Sequence, residues 1–253
     1  WFPGASGHAV ATNLHAVIGG QAYLIKLSGP ESSTLEVRGR PVIRAIDWQA
    51  DSFNLVGFYL DSDRPPLAGS FFATAAAFGG QPVFELTSAG RWEPLPDSAR
   101  LRSGSAYWAY ADARTEFSGP LTLAFEQGRS LAYGRFLSEQ RLRVLNHSDA
   151  PRTVMLEPTV SLPPAGEDSS LAGPVPLSYW RLDTNGETPR SEWAPLEAPT
   201  AFNVPAYGER NVRLAVRRRD MAPTHIPPPS ASGESVPPYR SVLVVTDGQG
   251  TRY

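Results

Sequence analysis

The chain of 253 residues contains no cysteine, which removes disulfides, thiol nucleophiles and thiolate metal sites together. Lysine is almost as scarce: Lys26 is the single example, and arginine supplies the remaining positive charge. Formal net charge is −2, and the one basic block is Arg217-Arg218-Arg219. A clustered positive face able to neutralise a nucleic-acid backbone is therefore missing, and nucleic acid is not an expected partner. No apolar run approaches the length of a bilayer-spanning helix. No Gly-x-Ser-x-Gly nucleophile elbow occurs, and the four histidines, His8, His15, His147 and His225, fall in expected loops or strand ends. Charged residues make up 19% of the chain, against about a quarter in an average domain, so the surface has to be rich in Ser, Thr, Gly and Pro.

What the chain has instead is 25 prolines, 22 glycines and 41% hydrophobic residues. Proline breaks helix interiors and central strands alike, so this density implies many short elements joined by turns. The apolar fraction is enough for a packed core. Together these features predict an all-β protein of sandwich or barrel type rather than a helical bundle. The length corresponds to one large or two ordinary domains. The start, Trp1-Phe2-Pro3-Gly4, lacks an initiator methionine and any signal-like segment, which suggests a processed piece of a longer product.

The pattern of an aromatic hairpin is written twice. Gly20-Gln21-Ala22-Tyr23-Leu24-Ile25 leads into Leu35-Glu36-Val37-Arg38-Gly39, and Gly104-Ser105-Ala106-Tyr107-Trp108-Ala109 leads into Thr115-Glu116-Phe117-Ser118-Gly119. Between the copies, Phe53–Leu60 is a candidate strand buried on both faces. Residues 70–78 form the best helix candidate, with Ser70 as N-cap and Gly79-Gly80 as the stop. Pro82–Leu86 and Arg91–Leu95 make short strands around a turn at Ser88-Ala89-Gly90. Beyond residue 120 the texture changes. Arg141–Asn146 and Arg152–Glu157 alternate at period two, and further strands are expected at 177–182, 211–216 and 241–245. Asn185-Gly186 is a strong short-turn signal. This spacing fits an immunoglobulin-like or fibronectin type III-like sandwich, without the Cys…Trp…Cys frame of antibody domains. Two domains result: a repeat-derived β-barrel or sandwich with one short helix at 1–120, and an immunoglobulin-like β-sandwich at 121–253. The second carries a proline-rich loop at 222–239, expected to be exposed.

Trp48, Asn54-Leu55-Val56-Gly57, Phe71-Phe72, Trp92 and Gly104-Ser105-Ala106-Tyr107-Trp108 follow the order of a Trp…Asn-Leu-Val-Gly…Gly-x-Ala-Tyr-Trp skeleton. Over residues 48–120 the chain thereby resembles a β repeat of secreted, multidomain bacterial surface proteins, with a partial copy at 14–41 that has Leu24 in place of Trp108. The resemblance implies an extracellular or cell-surface location and a structural or binding role, and it transfers no catalytic residues.

Candidate sites are few. Tyr107, Trp108 and Tyr110 alternate, so Tyr107 points to one sheet face while Trp108 and Tyr110 share the other. One face is core. If the Trp108 face is open, Trp92, Trp108 and Tyr110 form a platform for sugar rings or a protein partner. Asp61 and Asp63 could offer oxygens to Ca²⁺, as could Asp183–Glu187, but each stretch supplies only part of the six to eight ligands calcium takes; a plain turn is the alternative for both. The strand-borne acids Glu85, Glu93, Glu116 and Glu157 have no recognisable active-site surroundings, as glycoside hydrolysis would need. Lys26 lacks a marked partner for an internal isopeptide link. Asn146-His147-Ser148 fits the glycosylation pattern.

These features predict a non-enzymatic structural or adhesive component of a bacterial extracellular assembly, without a transmembrane segment. Its expected partners are other copies of itself or neighbouring domains of a longer chain, possible strand donors being Trp1–Gly7 and Ser241–Tyr253 at exposed sheet edges. The alternative is a carbohydrate-binding accessory module that recognises polysaccharide through the aromatic strands.

Overall fold

A computed structural model describes residues 21–23, 39, 41, 43, 46–87, 89–162, 171–184, 188–221 and 238–253. Among these the chain is nearly all β: twelve strands in three antiparallel sheets, one short helix and no closed barrel. The barrel alternative is therefore not the one adopted. The first hairpin copy beyond Tyr23, the donor candidate Trp1–Gly7, Lys26 and nearly all of the proline-rich loop lie outside the described residues.

The first sheet contains β1 (Ser52–Val56), β2 (Val83–Leu86), β3 (Trp92–Pro94) and β4 (Tyr107–Ala111), in the order β1-β4-β2-β3. β2 and β3 form the expected hairpin, with Gly90 at φ +74° in the turn. The second aromatic hairpin does not form. β4 already has a neighbour on each edge, and Thr115–Gly119 stays irregular. That stretch serves the core instead: Phe117 is buried, and its carbonyl accepts the Trp48 indole N–H at 2.7 Å. Phe53–Leu60 is not buried on both faces either, because the strand ends at Val56 and Phe53 and Tyr59 are exposed.

The helix α1 (Ala68–Phe72) begins before Ser70, whose hydroxyl donates back to the Leu67 carbonyl from inside the first turn. Its leading donors are satisfied from elsewhere, Ala68 N–H by the Ala99 carbonyl and Gly69 N–H by that of Asp97. A Cβ on Gly69 would come within 2.7 Å of the Asp97 side chain, so only glycine lets the two segments meet. Ala75 is extended, and a separate 3-10 turn follows at Ala76–Phe78. Against the inner face of the sheet, Phe58, Phe71, Phe72, Phe78, Phe117 and Trp48 pack mainly edge to face, with centroid separations from 4.6 Å. Ala109 and Ala111 on β4 are small enough for these rings to approach the sheet.

The remaining strands are β5 (Leu121–Phe125), β6 (Glu139–Asn146), β7 (Arg152–Val160), β8 (Leu177–Asp183), β9 (Arg190–Pro195), β10 (Thr200–Val204), β11 (Glu209–Val216) and β12 (Ser241–Thr246). They form a sheet of order β5-β6-β11-β8-β9 and another of order β10-β7-β12. Both sheets supply one core: Leu121, Leu142, Val144 and Leu214 from the first, Val154, Leu156, Val204 and Val245 from the second. This is a β-sandwich. The period-two segments β6 and β7 lie in different sheets, with the loop 147–151 crossing between them. β8 and β9 pair as a hairpin around the Asn185-Gly186 position, which itself lies outside the described residues.

The C-terminal segment is not a free strand donor. Ser241–Thr246 already pairs with β7, and residues 251–253 fold back along it, with Tyr253 N–H donating to the Val245 carbonyl at 2.8 Å and Val245 N–H returning the bond at 3.0 Å. The same return strand reaches the first unit, where Leu60 bridges Thr251 and Asp61 N–H donates to the Gly250 carbonyl at 2.9 Å. Gly250, at φ +104°, lies against the Arg64 and Pro66 backbone where no Cβ fits. The turn is tied by Asp247, whose carboxylate accepts the Gln249 and Thr251 N–H groups and pairs with buried Arg152. Arg152 also donates to Ser148, and Ser148 to Asn146.

Removing one member of a buried pair leaves an uncompensated charge, and the loss is about 3 to 5 kcal/mol. Arg152→Met is expected to lower unfolding free energy by that amount, measured by urea titration; a loss below ~1 kcal/mol contradicts the pairing. Burial also raises the phenol pKa of Tyr253, whose oxygen accepts the Leu121 N–H, and those of Tyr133 and Tyr107. Each group's folded pKa exceeds its unfolded value of about 10, so its contribution to stability is complete below that pH and is lost as pH rises above it. Alkaline titration followed by tyrosinate absorbance should show these three ionising at higher pH than in the unfolded chain, and Tyr253→Phe should flatten the alkaline loss of stability.

Candidate functional site: an open aromatic sheet face

Alternation along β4 sends Tyr107, Ala109 and Ala111 into the core, all at 0% exposure, and Trp108 and Tyr110 to the opposite face. That face is open: Trp108 and Phe53 are each 41% exposed. Register adds the rest. Phe53 lies opposite Tyr110, Phe84 opposite Trp108, and Trp92 opposite Leu86 one strand further on. All three residues singled out in the sequence, Trp92, Trp108 and Tyr110, therefore share one surface, together with Phe53 and Phe84, which sequence reasoning did not single out as site residues.

The rings are ordered among themselves. Trp92 and Trp108 are near-parallel, at 5.5 Å and 22°; Phe53 and Trp108 likewise, at 5.9 Å and 20°. Because β4 lies between β1 and the β2-β3 hairpin, Phe53 and Trp92 reach Trp108 from opposite sides. Phe84 and Tyr110 meet Phe53 edge-on, at 5.7 and 5.2 Å. This aromatic cluster leaves Trp108 and Phe53 each partly in solvent. Behind it, Glu85 is tied to Arg102 at 2.6 Å, and Arg102 N–H donates to the Tyr107 hydroxyl.

The Asp61 carboxylate accepts the Asp63 N–H at 2.9 Å, closing its own turn, and among the described residues no group of three or more His, Asp or Glu side chains gathers as metal ligands. Of Asp183–Glu187, Asp183 ends β8 opposite Arg190, and 185–187 lie outside the described residues. Glu93, Glu116 and Glu157 are exposed. His147 contacts the Thr122 hydroxyl at 2.8 Å, and partial desolvation lowers its pKa; the other histidines lie outside the described residues. Asn146 is 2% exposed, and its amide donates to the carbonyls of Ala150 and Pro205, so the folded chain does not present it for glycosylation.

A second aromatic group, not singled out in the sequence, lies on the outer face of the five-stranded sheet. Trp180 and Trp193, opposite each other on β8 and β9, meet edge to face at 5.1 Å, with the Arg213 guanidinium over both rings at 4.8 and 5.2 Å. β9 was unrecognised in the sequence because Arg190–Pro195 has little apolar alternation; the Trp193 position opposite Trp180 follows only from the register.

No protein-family model matches the chain, and neither curated proteins nor solved structures match it.

Trp108→Ala removes the middle ring of an exposed row. The expected outcome is a folded protein about 1 to 2 kcal/mol less stable that has lost the exciton circular-dichroism signal of the Trp92–Trp108 stack. A global loss of sheet signal would instead place Trp108 in a core.

Proposed function

We propose that the chain is a structural or adhesive component of a bacterial extracellular assembly, and that it makes contact through the aromatic face of its first sheet. The supporting observation is the row Phe53–Trp108–Trp92 across three strands, with Phe53 and Trp108 exposed and the opposite face of β4, at the centre of the row, buried at Tyr107, Ala109 and Ala111. Exposed, mutually braced aromatic rings carry large apolar area with little side-chain freedom left to lose, which is the composition of interface hot spots. The partner is another copy of the chain or a neighbouring domain of a longer product.

The carbohydrate-binding reading draws on the same observation, since Trp92, Trp108 and Tyr110 do share the open face. Stacking on a pyranose needs a free ring face, however, and Trp108 is already stacked with both Phe53 and Trp92. We therefore favour a protein contact.

Sedimentation at rising concentration is the test. Reversible association is expected for the unmodified chain and should weaken at least about tenfold in Phe53→Ser/Trp108→Ala. A chain that stays monomeric at high concentration, yet is retarded in gels containing a neutral polysaccharide and released by Trp108→Ala, would transfer the face to the carbohydrate reading.

A further inference from the structure

We propose that the turn Tyr133–Leu137, at one end of the sandwich, docks the chain on an anionic lipid surface. Phe136 and Leu137 enter the headgroup layer, and Arg135, Arg218 and Arg219 meet its phosphates. The proposal does not rest on the aromatic face of the first sheet, which belongs to the other unit.

Phe136 is 94% exposed, the highest figure for any large apolar side chain among the described residues, and Leu137 beside it is exposed too. The turn that carries them is fixed. Its Leu137 N–H donates to the Tyr133 carbonyl at 3.1 Å, and Gly134 supplies the left-handed φ of +51°. The Arg218 guanidinium donates to the Gly134 and Leu137 carbonyls, both at 2.9 Å. On one side the Tyr133 ring is buried in the sandwich core; on the other the Ser138 carbonyl accepts the Val216 N–H at 2.9 Å. A pinned backbone therefore holds an apolar ring in water, and a local violation of this kind marks a surface shaped for a contact.

The same end of the sandwich carries more apolar surface. β6 and β7 are joined across the opposite end by residues 147–151, so Glu139, where β6 begins, and Val160, where β7 stops, share this one. Val160 and Leu162 are both largely exposed. Each of the two sheets thus brings bare apolar side chains to one end, across layers that pack about 10 Å apart.

Charge selects the occupant. Arg135 and Arg219 are exposed and have no carboxylate partner among the described residues, and Arg218 bonds to backbone carbonyls alone. The carboxylates of neighbouring segments are engaged elsewhere: Glu126 by Arg141, Glu139 by Arg213, and Glu197 and Asp220 by Arg217. An apolar tip flanked by uncompensated arginines matches a lipid interface, where rings settle at headgroup level and guanidiniums meet phosphate. A second copy, docked tip to tip, would set arginine against arginine. A nucleic acid would pair the arginines and leave Phe136, Leu137, Val160 and Leu162 in water.

The experiment is co-sedimentation of the whole chain with vesicles of phosphatidylcholine, alone or mixed with phosphatidylglycerol, up to millimolar lipid. Binding is expected to the mixed vesicles only, weakening with salt and resisting glycerol phosphate at matched ionic strength. Phe136→Ser should weaken it roughly tenfold, and Arg135→Gln/Arg219→Gln by about tenfold or more. Phe136→Trp should retain binding and add an emission component quenched by brominated acyl chains. Circular dichroism and unfolding midpoints should stay near those of the unmodified chain, because these side chains lie outside the core. Trp108→Ala should bind the vesicles as the unmodified chain does, at protein concentrations where neither self-associates, which separates failure of this tip from failure of the aromatic face. No binding to the mixed vesicles, equal binding to phosphatidylcholine alone, displacement by glycerol phosphate, or unchanged binding of Phe136→Ser each overturns the proposal. So does loss of self-association in Phe136→Ser without lipid, which would make the tip a protein contact.

Discussion

The first unit depends on one constraint: β4 is a strand with no free edge. Once β1 and β2 occupy its two sides, its backbone has no further pairing to offer, and everything else about it is decided by which face each side chain takes. The inner face carries one large ring and two alanines, so the aromatic residues of α1 and the following 3-10 turn can close over it. The outer face carries Trp108 and Tyr110, for which no covering layer exists among the described residues. An open aromatic face is therefore the direct counterpart of a core built from phenylalanines against alanines. The same constraint prevents the second aromatic hairpin: Thr115–Gly119 meets no free ladder, and Phe117 is drawn into the core.

The sandwich and the first unit meet through backbone pairing. Leu60 and Asp61 pair with residues 250–251, and such pairing works only if the return strand is held in register. Asp247 supplies that register by fixing the turn from within, and the Arg152 guanidinium makes a buried carboxylate tolerable there. Asn146 and Ser148 extend the network to the loop that crosses between the two sheets. The stretch that carries a glycosylation pattern in the sequence is, in the folded chain, the polar pin of the sandwich. A buried polar network must have its members satisfied to be tolerated, which accounts for Asn146 using both its amide nitrogen and its oxygen.

Fold class was legible because proline density and period-two alternation act locally: each excludes helix without reference to the rest of the chain. The β2-β3 hairpin and strands β6, β7, β8, β11 and β12 were legible for the same reason. Legibility ended where pairing is non-local. Nothing in Thr115–Gly119 reveals that β4 is already enclosed, and nothing in Arg190–Pro195 reveals that Trp193 will stand opposite Trp180. The candidate face was half legible. Alternation alone puts Trp108 and Tyr110 together and Tyr107 opposite, but which side is core depends on where the helix packs. Phe53 looked like core because its segment is apolar apart from Asn54; its exposure follows from lying opposite Tyr110. The start of α1 was misplaced because Ser70 is a good cap in isolation, whereas the donors are met by the backbone at 97–99, a long way off in sequence.

The edges of the sheets point the same way as their faces. An unpaired edge invites strand addition unless it is short, proline-bearing or covered. β3 has three residues and ends in Pro94; β9 ends in Pro195; β10 lies between Pro199 and Pro205; β5 follows Pro120. β12 is covered at one end by its own return strand and bridged at the other, where Gly173 meets Tyr239. Each of these edges is thus blunted by proline, by brevity or by a neighbouring segment. The sheet faces carry rings in solvent: Phe53 and Trp108 on the first sheet, and Trp180, beside arginines paired with glutamates, on the five-stranded one. The backbone of the five edges just named is shielded while these rings are not, so the apolar area that the sheets offer to solvent lies in side chains.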